Sequence, residues 1–72
     1  MASIIGTGVL EEYSQTVAFS KPMLTAALPE LMKLPGIYRE NIVAVRNGRV
    51  LSLDELVYDG DEILVFISAM GG

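Results

Sequence analysis

The chain has 72 residues and a net charge of −4, with 51% hydrophobic and 19% charged residues. It contains neither cysteine nor histidine, which excludes disulfide bonds, thiolate or imidazole zinc ligands, and the Ser-His and Cys-His nucleophiles of hydrolases. A chain this short and this apolar is typical of one folded domain, residues 1–72. The acidic charge argues against nucleic acid and anionic membranes as partners and favours a protein with a basic patch.

The N-terminal half of the chain predicts two strands and one helix. Ser3–Leu10 forms a strand that its glycines weaken, and Gln15–Phe19 alternates as a second strand, so that the two make a hairpin. Apolar residues then recur at helical spacing, which predicts a main helix at about Lys21–Leu34. Pro29 breaks this helix near Leu28 or begins a new turn, because a proline inside a helix costs about 3 kcal/mol.

The C-terminal half predicts three strands. Asn41–Arg46 alternates as a strand, and Asn47-Gly48 is typical of a type I′ turn that leads into a return strand. Ser52–Leu56 predicts one helical turn, and Asp59-Gly60-Asp61 predicts a tight turn before the last strand, Glu62–Ser68. This order of elements predicts an α+β domain in which a mixed four- to five-stranded sheet packs on one main helix.

The sequence ends in Gly71-Gly72, which predicts a flexible tail at about residues 68–72. A chain end without Cβ atoms fits a narrow channel. Its carboxylate becomes reactive once ATP converts it to an acyl-adenylate, and a sulfur donor can then displace AMP to leave a thiocarboxylate. The plainer interpretation is a frayed terminus, since roughly 0.5% of chains end in two glycines by chance.

These elements and the tail together resemble the bacterial sulfur carriers of the ThiS and MoaD kind. The resemblance lies in the strand order, the Asn47-Gly48-Arg49-Val50 hairpin, the Asp59-Gly60-Asp61-Glu62-Ile63 turn and the Gly71-Gly72 end. It implies a β-grasp, or ubiquitin-like, fold and a carrier that is not itself an enzyme. It also implies that an E1-like enzyme of the ThiF or MoeB kind adenylates Gly72 with ATP, and that the carrier binds no cofactor or metal.

The resemblance further implies a partner that accepts the sulfur: thiazole synthase in thiamine biosynthesis, or the large subunit of molybdopterin synthase. MoaD-like tails carry a proline pair before the glycines, and Ile67-Ser68-Ala69-Met70 has none, which favours the thiamine pathway. With no signal sequence, we expect a cytoplasmic monomer. Two alternatives stay open: a ubiquitin-like modifier joined to lysines of target proteins through Gly72, and a plain β-grasp binding module whose glycines are accidental.

The last strand predicts where partners dock. Because successive side chains of a strand point to opposite faces, Ile63 and Val65 form one set, while Leu64 and Phe66 form the other. The resemblance puts the second set on the open face of the sheet, so Leu64 and Phe66 are the predicted docking residues. The alternative is a strand covered on both faces. The residues predicted to enter a partner's channel are Met70, Gly71 and Gly72.

The acidic residues of the C-terminal half have a structural interpretation. Asp59 and Asp61 are typical turn formers, and Glu62 is a solvated charge. Nothing in the sequence predicts a pocket around them, so a pair of catalytic carboxylates is not expected. Their combined field can steer docking to a basic partner.

Overall fold

The computed structural model describes residues 1–68, which form an α+β architecture around a mixed five-stranded sheet. The strands are β1 (Ala2–Gly6), β2 (Gln15–Val17), β3 (Met23–Leu24), β4 (Ile42–Arg46), β5 (Arg49–Val50), β6 (Leu56–Val57) and β7 (Glu62–Ile67). The helical segments are 3₁₀ helices at Gly8–Tyr13 and Thr25–Ala27 and the α-helices α1 (Leu28–Leu31) and α2 (Gly36–Arg39). None of these helices is long and apolar enough to cross a membrane.

The strand order of the main sheet is β2-β1-β7-β4-β5. At its centre β1 runs parallel to β7, and the remaining neighbours are antiparallel. The predicted mixed sheet is therefore confirmed, as is the antiparallel pairing of the first two strands. β3 and β6 form a separate two-stranded antiparallel sheet, which was not predicted.

The core lies between one face of the main sheet and a covering layer. The sheet contributes fully buried side chains such as Ile4, Ile63 and Val65, and the covering layer contributes Leu28 and Val57. The prediction that one main helix provides this cover is wrong. The cover is assembled from short helical segments and from the inward face of the β3–β6 sheet.

The predicted helix at Lys21–Leu34 is wrong over its first third because Met23–Leu24 pairs with Leu56–Val57 instead. Thr25 then fixes the end of this pairing, since its N–H and its hydroxyl both donate to the carbonyl oxygen of Glu55, each at 2.9 Å. Thr25 is itself buried. These contacts are long-range in sequence, so the helical spacing of the apolar residues could not reveal them.

Pro29 stands near the start of α1, as the second of the two predicted alternatives has it. Backbone N–H groups in the first turn of a helix have no acceptor within that helix, so the missing N–H of Pro29 costs no hydrogen bond there. Lys33, with φ of 57°, ends the helical segment. There the N–H of Lys33 donates to Glu30 and that of Leu34 donates to Pro29, which is the Schellman arrangement. The helix therefore stops well before Pro35, and α2 was not predicted.

The first predicted strand, Ser3–Leu10, is too long, because β1 ends at Gly6 and the chain turns into a 3₁₀ helix. A Cβ atom at Gly6 would overlap the carbonyl group of Leu10 and lie 2.9 Å from its Cβ. Gly8 adopts φ of 58°, a conformation that glycine reaches without strain. The two glycines that weaken the strand pattern are thus the residues that allow this fold-back.

In the C-terminal half, the two predicted tight turns are confirmed, and the predicted helical turn is shorter than expected. Asn47 and Gly48 have φ of 54° and 77°, as a type I′ turn requires. The N–H of Asp61 donates to the carbonyl oxygen of Tyr58 across the second predicted turn. Of the helical turn predicted at Ser52–Leu56, the structure has a single hydrogen-bonded turn, in which the N–H of Glu55 donates to the carbonyl oxygen of Ser52 at 3.1 Å, and Leu56 instead joins β6.

The close approach at Gly6 predicts a large effect of a single methyl group. Gly6→Ala must displace the backbone of Leu10, and we expect it to lower the free energy of unfolding by about 3 kcal/mol. Chemical denaturation of the two proteins measures this change. Gly36→Ala is the matched control, since nothing lies within 4 Å of a Cβ atom there. Equal stabilities of the two variants would contradict the packing described at Gly6.

Candidate functional site

The last strand, β7, divides its side chains between two faces of the sheet. Ile63 and Val65 are fully buried, whereas Phe66 is 39% exposed and Leu64 is half-buried. The division follows the alternation seen in the sequence. A strand covered on both faces is therefore the wrong alternative, although Leu64 is less accessible than predicted.

Neighbouring strands add apolar side chains to the face that presents Phe66. Val43 lies opposite Phe66, and both Val45 and Ile5 lie opposite Leu64. Directly opposed residues project to the same side of a sheet. We name this surface the open sheet face and define it by Ile5, Val43, Val45, Val50, Leu64 and Phe66. The sequence alone predicted only Leu64 and Phe66 as members of this face. The other residues join them through strand register, which cannot be read from the local sequence.

The pairing of β7 continues to the last described residue. The N–H of Ser68 donates to the carbonyl oxygen of Asn41, the residue that precedes β4. Residues 69–72 follow from this point in the sequence. The predicted tail residues Met70, Gly71 and Gly72 lie outside the described residues, so their role stays a prediction.

Two carboxylates hold the turn that leads into β7. Asp59 accepts a hydrogen bond of 3.1 Å from the N–H of Phe19 and lies 3.3 Å from the N-terminal ammonium group. Asp61 accepts a hydrogen bond of 2.9 Å from the N–H of Tyr58 and forms a 2.8 Å ion pair with Arg46. The predicted interpretation of these residues as turn formers agrees with these contacts.

Glu55 has the same kind of role in the preceding turn. One of its carboxylate oxygens accepts a 2.7 Å hydrogen bond from the N–H of Ser52, and the other lies 3.1 Å from the Arg49 guanidinium. The backbone hydrogen bond from Ser52 is the main cause that lowers the pKa of Glu55, and that from Phe19 lowers the pKa of Asp59. Both groups are therefore anions at neutral pH and poor general acids.

A cleft of about 420 Å³ opens between the helical layer and part of β4 and β5. Leu51 and Ala44 form its apolar floor, and Arg39 and Glu40 stand on its rim. The Nε of Arg39 donates to the carbonyl oxygen of Leu34 at 2.8 Å. Nothing in the sequence predicted this cleft, and the residues lining it do not include a nucleophile beside a base.

Comparison with known proteins does not assign the chain to a family. No protein-family model matches it, and no curated protein matches its sequence. Within residues 1–68, no group of three or more acidic side chains is placed to hold a metal ion. The apolar, partly exposed open sheet face beside the end of β7 is therefore the feature on which a functional proposal can be built.

The carboxylates of Glu55 and Asp59, which accept backbone hydrogen bonds, predict a loss of folding stability in acid. Their ordinary pKa values are 4.5 for Glu55 and 3.8 for Asp59, and folding lowers both pKa values. Each contribution is complete above the ordinary pKa and disappears as pH falls through the lower folded-state pKa. We expect Glu55→Gln and Asp59→Asn to be less stable than the unsubstituted protein at neutral pH, with a difference that shrinks as pH falls.

Thermal unfolding measured across this pH range tests the prediction. Asp54→Asn is the control, because the carboxylate of Asp54 accepts no hydrogen bond within the part of the chain that the structure describes. A stability difference that stays constant into strong acid would show that these carboxylates do not act through their ionised form.

Proposed function

We propose that this protein is a β-grasp sulfur carrier whose working group is the carboxylate of Gly72. The central parallel pair of first and last strands, with a hairpin on each side, supports the β-grasp. The observation that carries the proposal is that β7 combines two features. It presents Phe66 on an apolar, partly exposed face, and in the sequence it is the last strand before Gly71-Gly72.

The geometry of the chain end limits how far the carboxylate can reach. Ser68 is paired with Asn41, and the four residues from 69 to 72 span at most about 14 Å when fully extended. A partner that holds the open sheet face can therefore also enclose Gly72. Glycine at the last two positions keeps this reach as thin as backbone allows.

In the proposed chemistry, the chain is a substrate and the partner enzyme is the catalyst. A Gly72 carboxylate oxygen attacks the α-phosphorus of ATP, forming an acyl-adenylate and releasing pyrophosphate. Hydrosulfide then attacks the acyl carbon, the bond to AMP breaks, and a thiocarboxylate and a proton are formed.

The proposed partners are an E1-like adenylating enzyme of the ThiF or MoeB kind and a synthase that accepts the sulfur. Thiazole synthase is the favoured acceptor and the molybdopterin synthase large subunit is second, because prolines are missing before the two glycines. We propose a monomer that works in the cytoplasm, where ATP is at hand, and that meets each partner in turn.

Intact-mass spectrometry tests the sulfur chemistry. The native protein must have the mass of a chain ending at Gly72. After incubation with its ThiF- or MoeB-like enzyme, ATP and a sulfur donor, we expect the mass to rise by the exchange of one oxygen for sulfur. A reaction without ATP is the control and should leave the mass unchanged. A chain that lacks Gly72 and still supports the pathway would contradict the proposal.

The same experiment separates the proposed carrier from a protein modifier. A modifier forms an isopeptide bond between Gly72 and a lysine of a target, so its products are adducts of higher mass in cell extract. Detection of such adducts without any thiocarboxylate would show that the protein is a modifier and not a sulfur carrier. An unmodified chain under all conditions would leave only the plain binding module.

The open sheet face predicts the effect of a single polar substitution on activation. Phe66→Gln removes the most exposed aromatic ring of this face, and a central aromatic contact of an interface is worth about 2 kcal/mol. We therefore expect adenylation of Gly72 at low enzyme concentration to fall by roughly 30-fold. Each adenylation releases one pyrophosphate, so the phosphate formed when this pyrophosphate is hydrolysed measures the rate of adenylation.

Ile37→Gln is the matched control for Phe66→Gln. Ile37 is 75% exposed, but it lies on α2 and not on the main sheet. It should leave the rate unchanged, and both variants should keep the unfolding midpoint of the parent protein. Equal rates for Phe66→Gln and the parent protein would mean that the enzyme does not dock on the open sheet face.

A further inference from the structure

The cleft between the helical layer and β4 contains a strand edge that the proposed sulfur chemistry does not use. Its lining includes residues 42–44 of β4 and residues 50–53, which lead out of β5. β5 pairs with only the last two residues of β4. One more hydrogen bond follows, from the N–H of Leu51 to the carbonyl oxygen of Ala44 at 2.8 Å. The start of β4 therefore extends past the end of β5 and borders the cleft.

The pattern of hydrogen bonds along β4 shows that the backbone of Ile42 faces this cleft. In an antiparallel pair, residues that exchange backbone hydrogen bonds alternate with residues that do not. The N–H of Ser68 donates to the carbonyl oxygen of Asn41, so Asn41 bonds toward β7 and Ile42 points its N–H and carbonyl group the other way. Ala44 also points that way, as its bond from Leu51 shows. Among residues 1–68, none pairs with Ile42 on that side.

The chain beyond Leu51 does not continue the line of β5 opposite Ile42. The N–H of Ala26 donates to the carbonyl oxygen of Leu53 at 3.1 Å, so residues 52–53 bend toward the helical layer. The edge that is left uncovered, residues 41–43, is about 10 Å long. It is long enough to pair with a strand of about three residues.

Hydrogen bonds fix the walls of the cleft. The Nε of Arg39 donates to the carbonyl oxygen of Leu34 at 2.8 Å. On the side of the helical layer, the N–H and the hydroxyl of Thr25 both donate to the carbonyl oxygen of Glu55 at 2.9 Å. A site held in this way loses little conformational entropy when a ligand binds.

The edge and the floor of the cleft specify the chemistry of a ligand. The N–H and carbonyl group of Ile42 need an acceptor and a donor at strand spacing, which the backbone of an extended peptide supplies. A peptide side chain opposite Ile42 projects to the same face of the sheet as Ile42 and Ala44. On that face Ala44 and Leu51 are buried apolar residues. A β-branched apolar side chain suits both the extended backbone and this floor.

The charges of the cleft select neither an acidic nor a basic ligand. The charged residues that line it are Arg39 and Glu40, one of each sign. Neither of them forms an ion pair within the described part of the chain. An uncharged peptide therefore fits best, and its affinity should depend little on salt.

We propose that this cleft binds an extended, uncharged peptide segment of a partner protein by β-strand addition. The segment pairs with Ile42 in line with β5, antiparallel to β4, and places one β-branched apolar side chain against Ala44 and Leu51. The N–H of Ile42 donates to the carbonyl oxygen of one peptide residue, and its carbonyl oxygen accepts from the N–H of the same residue. The proposal does not depend on the chemistry at Gly72.

Nuclear magnetic resonance of the full isotope-labelled chain tests this proposal with two capped peptides. The first has the sequence Gly-Ser-Thr-Val-Thr-Ser-Gly, and the second differs only in a methyl group on the valine nitrogen. With the first peptide at millimolar concentration, we expect shifted amide signals at residues 42, 44 and 51 and slower hydrogen exchange of the Ile42 amide. The methylated peptide cannot donate to Ile42 and should bind at least about tenfold more weakly.

Two variants show whether the cleft is the binding surface. Ala26 is exposed and lines the cleft, so Ala26→Phe should fill part of it and weaken binding of the first peptide by about tenfold or more. Ala18→Phe is the matched control, because Ala18 is also exposed but does not line the cleft. It should leave the affinity unchanged, and thermal unfolding checks that both variants stay folded.

Several results would overturn the proposal. They are unchanged spectra at millimolar peptide, signal shifts confined to another surface, equal binding of the two peptides, and binding that Ala26→Phe does not weaken. An affinity that falls steeply as salt is added would contradict recognition of an uncharged segment. Shifts of the same signals with protein concentration alone would assign the edge to a second copy of the chain and not to a partner protein.

Discussion

The parallel pairing of β1 with β7 is the interaction on which the remaining structure depends. It joins residues 3–6 to residues 62–65, almost the full length of the chain apart. Ile4, Ile63 and Val65 are fully buried at this pairing, and each buried side chain of this size contributes about 1.5 to 3 kcal/mol. β7 also pairs with β4, so the β1–β7 pair forms the centre of the main sheet.

The central parallel pairing also determines which face of the sheet is covered and which face stays partly exposed. One face is covered by the short helical segments and by the β3–β6 sheet, which contribute Leu28 and Val57 to the core. Within residues 1–68, no further helix or strand covers the second face. The open sheet face therefore stays accessible with Phe66 on it, and the net charge of −4 opposes association between copies.

Local patterns predicted the elements whose geometry is decided by neighbours in sequence. Asn47-Gly48 adopts the two positive φ angles that its residue types favour, and β4 and β7 lie where alternation predicts them. The helix predicted at Lys21–Leu34 was wrong because β6 competes for the same backbone groups, through Leu56 and the Glu55 carbonyl. A pairing between residues about 30 apart leaves no trace in helical spacing.

Local sequence patterns also predict the exposed surfaces only in part. Phe66 could be placed on an exposed face from β7 alone, whereas Val43 and Ile5 join it only through strand register. Leu24 lies within the range predicted as the main helix and is instead a 50% exposed residue of β3. Once a strand replaces the first turns of that helix, alternation replaces helical spacing as the rule for which side chain is buried.

The positions of the carboxylates explain why a chain with this structure suits the proposed carrier role. Glu55, Asp59 and Asp61 each accept a backbone N–H at a turn, so these acidic groups stabilise the fold. With histidine and cysteine missing from the sequence, the described part of the chain offers surfaces for recognition and little acid–base chemistry. In the proposed role, a reactive group at Gly72 would depend on partner enzymes for every bond made or broken.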